Sequence, residues 1–188
     1  IWGVIHDGDS TYDGVVATIK QLKKLDKKVI FLSNAPRRSA VVAKVLANYG
    51  ITKDYYEFIL TSGEAAHFYL QQNQQNNFSE FGKKYFYIGP QKDRGLVNDL
   101  QYEEVLEAKD ADFNITTGFN GPGSTLDERK HQLDESIKYN LPMICVNPDL
   151  MVIKKTGQEF LCAGVLAKEY QKMHGQVHFF GKPYQEVY

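Results

Sequence analysis

The chain has 188 residues, 43% hydrophobic and 24% charged, enough for one large domain or two small ones. A net charge of -1 argues against a nucleic-acid partner, which calls for a clustered basic excess, and no apolar run approaches the roughly 20 residues of a membrane span. Two cysteines, Cys145 and Cys162, are too few for a disulfide framework; with no signal peptide, they fit a reducing, cytoplasmic setting.

The chain opens IWGVIHDG. Ile1, Val4 and Ile5 read as a buried strand that runs into a polar turn at His6-Asp7-Gly8, and the missing initiator Met points to a chain trimmed at its front. Val15, Val16, Ile19, Leu22 and Leu25 recur at helical spacing. Val29 to Leu32 is a short continuous apolar strand, of the kind buried on both faces of a parallel sheet, and it stops at Ser33-Asn34-Ala35-Pro36. A second amphipathic helix carries Val41, Val42, Val45, Leu46 and Tyr49, with Gly50 as its stop. Phe58-Ile59-Leu60 is the next strand, ending at Thr61-Ser62-Gly63.

The polar run QQNQQNN at 71–77 reads as a helix end entering a connector. Strands resume at 85–88, 113–116 and 143–146, with a Gly/Pro-rich loop at 118–124. Thr125 and Glu128 form a capping box ahead of a helix bearing Leu133 and Ile137. A last helix is expected at about 160–173 and a last strand at 177–180. This alternation predicts a parallel α/β fold in two units. The first unit covers residues 1 to about 80, an inserted one about 81–175, and the closing strand returns to the first sheet.

Ligands of open parallel sheets bind at the carboxyl ends of the strands. Those ends offer His6-Asp7-Gly8, Ser33-Asn34, Ser62-Gly63 and Gly181-Lys182-Pro183: a hydroxyl, an amide, backbone N–H groups and an ammonium. That set suits a phosphate, helped by helix N-termini and a compact lysine charge. Ser-Asn and Gly-Lys-Pro are also common turn sequences.

The order IWGVIHDG, FLSNAPRRS, LTSGEAA, ICVNPDLMV, CAGVLAKEY, FFGKPYQEVY resembles the haloacid dehalogenase (HAD) superfamily, and within it class IIA, the C2-capped sugar-phosphatase and nitrophenylphosphatase branch. The resemblance spans nearly the whole chain. It implies a Rossmann-like parallel-sheet core with an inserted α/β C2-type cap. The implied activity is a Mg²⁺-dependent phosphatase acting on a small phosphate ester, such as a sugar phosphate, through an aspartyl-phosphate. Gly3-Val4 match the family's first motif, so the nucleophilic aspartate would stand directly before Ile1. Ser33 matches the second motif and would hydrogen-bond the phosphoryl group; Lys182 matches the third and would neutralise its charge. The fourth, acidic motif would lie beyond Tyr188, so these 188 residues alone are expected to be inactive.

Trp2 departs from the pattern, which has an acidic general acid/base there, a role an indole cannot fill. Its main-chain carbonyl could still ligate Mg²⁺. His6 and Asp7 could take over the acid/base role, or simply cap and start their turn. The vacancy leaves open a phosphate-binding, regulatory protein that lost turnover. The resemblance further implies that the Asn147-Pro148-Asp149 loop faces the active site and helps to choose the substrate; otherwise it is an Asx-Pro turn. Arg37 and Arg38 could clamp a substrate phosphate or carboxylate, or stand as solvated charges at a helix start. Asn34 reads as a substrate-side donor, and Cys145 as a core residue. Pairing of two copies through the cap is open, since class IIA relatives often dimerise there. A dinucleotide-binding domain is disfavoured, because HDGDSTYDG contains no G-x-G-x-x-G, and the five histidines show no zinc-ligand spacing.

Overall fold

The computed structural model describes residues 1–75 and 81–188, so the end of the polar run 71–77 lies outside the described residues. In the first unit, helix α1 (Val15–Lys24), strand β1 (Ile30–Ser33), helix α2 (Ser39–Asn48) and strand β2 (Phe58–Thr61) follow in order. β1 and β2 pair in parallel, with Ser33 beside Thr61 at their carboxyl ends. Phe31 and Ile59 point into a core with Ile19, Val42 and Leu46. Ile30 and Phe58 lie side by side on the other face, about half exposed, while Leu32 further along that face packs against the core of the second unit, so this small sheet is only partly covered there, less than the burial on both faces expected. α2 ends as its glycine foretells. Gly50 takes φ 78, its N–H donates to the Ala47 carbonyl, and the Ile51 N–H reaches back to Leu46. Leu46 and Ile51 are both fully buried beneath that turn, which is the Schellman arrangement with its apolar contact.

The opening stretch is not a strand. Gly3 turns left-handed at φ 74, the Ile5 N–H donates to the Ile1 carbonyl, and Val4 is 68% exposed. The apolar residues of a strand are present, but a positive φ at the third residue folds them into one tight loop. Ile5 is buried in the core, and Ile1 packs against it partly buried.

Helix α3 (Ser62–Gln75) begins at once after β2, capped by the Thr61 hydroxyl, which accepts from the Glu64 N–H at 2.9 Å. Its buried face packs on the second unit. There strands β3 (Lys84–Ile88), β4 (Glu103–Val105), β5 (Phe113–Thr116), β6 (Met143–Cys145) and β9 (Val177–Phe179) form a parallel sheet in the order β4-β3-β5-β6-β9. Alternate residues face opposite ways. Tyr85, Tyr87, Phe113 and Ile115 meet Ala66 and Leu70 of α3, whereas Phe86, Ile88 and Met143 meet helices α4 (Asp127–Lys138) and α5 (Ala163–Lys172) through Leu133, Leu166 and Tyr170. Each fully buried side chain of this kind contributes about 1.5–3 kcal/mol.

Three further differences from the sequence reading concern this unit. β9 pairs with β6, Met143 beside Val177, and so does not return to the first sheet. Residues 159–161 are not helix: strand β7 (Met151–Ile153) and strand β8 (Glu159–Leu161) form an antiparallel hairpin, and α5 starts only at Ala163. Of the capping box at Thr125, one half forms, the Thr125 N–H donating to Glu128 Oε1 at 3.2 Å, while the helix begins at Asp127.

Candidate active site

The carboxyl ends of β1, β3, β5, β6 and β9 open on one cavity of about 250 Å³. Ser33 comes from the end of β1, Asn147 and Asp149 from the loop after β6, and Lys182 from the loop after β9. The two strand tips that the sequence paired, hydroxyl and ammonium, therefore share one space. Asn34 bonds across it: its Oδ1 accepts from the Lys182 N–H at 2.7 Å, and its Nδ2 donates to the Lys182 carbonyl at 3.0 Å and to Asp149 Oδ1 at 2.9 Å. The close approach needs a residue without a side chain before Lys182. Gly181 has φ 133, and a Cβ there would lie 2.4 Å from Pro148 Cδ and 2.9 Å from Asn34 Oδ1.

Asn147 forms the expected Asx turn, its Oδ1 accepting from the Asp149 N–H at 3.0 Å, and it still lines the cavity. Arg37 also lines the cavity, but it is not a free clamp: its Nε donates to Oδ1 of the buried Asp93 at 2.6 Å. Arg38 turns away to Glu64, donating from Nε and Nη2, and the other Glu64 oxygen accepts from the Ser39 N–H at the start of α2. Burial alone would raise the Glu64 pKa; the bonds from Arg38 and Ser39 and the Arg38 charge outweigh it and hold the carboxyl below its ordinary range.

His6 and Asp7, the candidate substitutes for a missing acid, lie outside the cavity lining. His6 Nδ1 accepts from the Gly8 N–H at 2.9 Å, and burial lowers its pKa. Asp7 Oδ1 accepts from the N–H groups of Ser10 and Asp9, and the Ser10 bond does most to keep the carboxyl below its usual range. Both side chains are spent on the turn. A short polar run at a strand end looks the same in sequence whether it serves a ligand or its own backbone.

Trp2 does line the cavity. Its indole stands edge-on to Phe160 at 6.3 Å and to His6 at 5.6 Å, and its N–H points to the Ile153 carbonyl at 3.5 Å. Trp2 thus joins the β7–β8 hairpin in an apolar wall with Phe119 and Val152. Its carbonyl accepts none of the turn and loop backbone hydrogen bonds among the described residues. Among the described residues no group of three or more His, Cys, Asp or Glu is placed to hold a metal. Ile1 lines the same cavity. Cys162 lines the cavity too; burial, then Asp149, pushes its thiol up to about 11, which leaves it unreactive at neutral pH.

Sequence reading missed Lys92, Asp93, Thr117 and Phe119. The signal was available: these residues follow β3 and β5, and the strand-end rule applied to the second unit would have reached them. Phe160 was missed because it was placed in a helix.

Residues 1–103 match the family described as haloacid dehalogenase-like hydrolase. The chain belongs to the haloacid dehalogenase-like hydrolases. A curated relative, the sugar-phosphatase AraL of Bacillus subtilis (strain 168), is 32% identical over 117 residues, which is 60% of this chain and 39% of that protein. A haloacid dehalogenase-like hydrolase from Brucella suis 1330 superposes with TM-score 0.87 at 26% identity, covering 100% of this chain and 66% of its own. A double mutant of the thermostable NPPase from Geobacillus stearothermophilus superposes with TM-score 0.72 at 20% identity, covering 100% of this chain and 70% of its own. The chain therefore spans less than half the length of the curated sugar-phosphatase and about two thirds of the Brucella hydrolase. The α/β fold and the kinship with haloacid dehalogenase-like hydrolases are those expected from the sequence. No helix among the described residues is long and apolar enough to cross a membrane.

Proposed function

We propose that the full-length protein is a phosphomonoester hydrolase acting on a small phosphorylated metabolite of the sugar-phosphate kind. The observation that carries this reading is the convergence of Ser33 and Lys182 on one cavity that Ile1 also lines. The aspartate that the resemblance calls for directly before Ile1 would attack phosphorus there; the ester oxygen would leave, and water would then cleave the aspartyl-phosphate. Ser33 Oγ would donate to a phosphoryl oxygen, and the Lys182 ammonium would offset the charge that gathers in the transition state. The apolar wall of Trp2, Phe119 and Phe160 would take the organic part of the ester and keep out water.

Mg²⁺ is part of the proposal on the strength of the resemblance. Among the described residues the Trp2 carbonyl suits it as one ligand, which is far from the octahedral oxygen shell it demands. Further carboxylates would have to come from elsewhere in the full-length protein. The free, buried cysteines fit a reducing cytosol, and pairing of two copies through the second unit is the proposed assembly.

The test is phosphate release from a panel of phosphate esters by the full-length protein with Mg²⁺. Ser33→Ala and Lys182→Ala are each expected to lower kcat by about 100-fold or more. No release above blank by the native protein, or unimpaired release by either variant, sinks the reading. Trp2 favours one rival, a phosphate-ligand binder that does not turn over, because its indole sits in the cavity and can donate no proton to a leaving group. Tight Mg²⁺-dependent binding of beryllium fluoride without hydrolysis would favour that rival.

A further inference from the structure

We infer that Asn34 is a positioning residue: its amide fixes the backbone of Lys182 and the carboxylate of Asp149 across the cavity, and leaves the phosphate ester to its neighbours. The inference rests on the phosphatase reading of the same cavity. A primary amide has two N–H donors and one carbonyl acceptor. In Asn34 both donors are spent, on the Lys182 carbonyl at 3.0 Å and on Asp149 Oδ1 at 2.9 Å, and the oxygen holds the Lys182 N–H at 2.7 Å. No side-chain N–H is left for a substrate. The orientation is fixed by chemistry, since a flipped amide would set N–H against N–H at Lys182 and oxygen against the Asp149 carboxylate.

Two of these bonds grip one residue by both its N–H and its C=O, so the backbone of Lys182 cannot rotate without breaking one. The third bond draws in the loop after β6. Asn34 follows Ser33 directly at the end of β1. One side chain thus ties three strand ends together, and it does so while almost fully buried. Its work is to set how far the Lys182 ammonium stands from the Ser33 hydroxyl.

The test uses the full-length protein. Asn34→Asp keeps the shape but aims an oxygen at Asp149 and at the Lys182 carbonyl. Asn34→Ala removes all three bonds and adds no charge. Both are assayed on a hexose phosphate, glycerol phosphate and 4-nitrophenyl phosphate, and for binding of inorganic phosphate. A misplacement on the scale of 1 Å costs about 100-fold, so Asn34→Asp is expected to lower kcat by about that factor, equally for all three esters, and to weaken phosphate binding. Asn34→Ala is expected to lose less, with the same uniformity. Adding Asp149→Asn to Asn34→Asp restores a 34–149 hydrogen bond and is expected to recover about tenfold. A loss that differs more than tenfold among the esters, or that appears in KM for one of them alone, would make Asn34 a substrate contact and overturn the inference. So would a double variant no better than Asn34→Asp. Failure of the native protein to hydrolyse any ester strikes the phosphatase reading instead; phosphate binding then decides Asn34, with equal affinity in native protein and Asn34→Asp as the refuting result.

Discussion

Gly164→Ala separates what the helix wants from what the cavity wants. Gly164 is the second residue of α5 (Ala163–Lys172), and by propensity alone an alanine inside a helix is better by up to about 1 kcal/mol. The structure gives the opposite sign. A Cβ at Gly164 would lie 2.2 Å from the Pro148 carbonyl oxygen and 2.6 Å from that of Asp149, which is main chain and cannot swing aside. It falls short of ordinary contact by about 1 Å, so the helix start and the Asn147–Asp149 loop must part by that much. Overpacking of this kind costs about 1–3 kcal/mol. The separation also breaks the hydrogen bond from the Gly164 N–H to the Asp149 carbonyl, 3.1 Å long, for about 1 kcal/mol more. Against the propensity gain, the net expectation is a loss of about 1–3 kcal/mol, read as a lower urea midpoint with unchanged m-value. Because the displaced loop carries Asp149 and Asn147 into the cavity, phosphate-ester hydrolysis by the full-length protein should fall as well, at temperatures where the variant remains folded. A variant as stable as the native protein, or stabilised by about 1 kcal/mol, would show that the loop yields freely, and the account of how α5 buttresses the site would be wrong.

The β7–β8 hairpin is tied to the turn after Gly8 by Lys154, whose ammonium meets both Asp9 carboxylate oxygens at 2.8 Å. Asp9 is well exposed, so a double-mutant cycle of Asp9→Ala with Lys154→Ala should show a coupling of about 0.2–1 kcal/mol at low salt that fades near 1 M salt; a coupling indifferent to salt would refute an electrostatic tie. The depressed Glu64 pKa has a signed consequence. A carboxyl whose folded pKa lies below its unfolded value adds stability that is present above the unfolded value, 4.5 here, and is lost as pH falls through the folded one. Glu64→Gln should therefore lose less stability than the native protein on acidification below about pH 4.5, as urea midpoints across pH would record. Parallel pH curves for the two proteins would contradict the Arg38–Glu64 assignment.

What the sequence disclosed, and what it hid, divides by the range of the interaction that decides it. Strands β1, β2, β3, β5 and β6 were legible because a parallel strand buried in a sheet is a short apolar run bounded by turn residues. Gly50 was legible because a helix end of that kind needs a residue at positive φ. Ser33 and Lys182 could be grouped because the carboxyl ends of parallel strands gather their following loops, so distant loops become neighbours without any knowledge of their packing, whereas Asn147 and Asp149 were reached through the resemblance. The opening loop was hidden because Ile1, Val4 and Ile5 are equally at home in a strand, and one φ angle at Gly3 decides otherwise. The hairpin was hidden because its strands are three residues each, too short for a period to show. The sheet that β9 joins was hidden because Val177–Phe179 is apolar enough for either, and its pairing with Met143–Cys145 spans more than thirty residues. The partners of Arg37 and Asn34 were hidden for the same reason, Asp93 lying 56 residues from the one and Asp149 lying 115 from the other. Residue type told which side chains could meet a phosphate. Only the contacts told which of them, like Asn34, are already occupied in holding the others still.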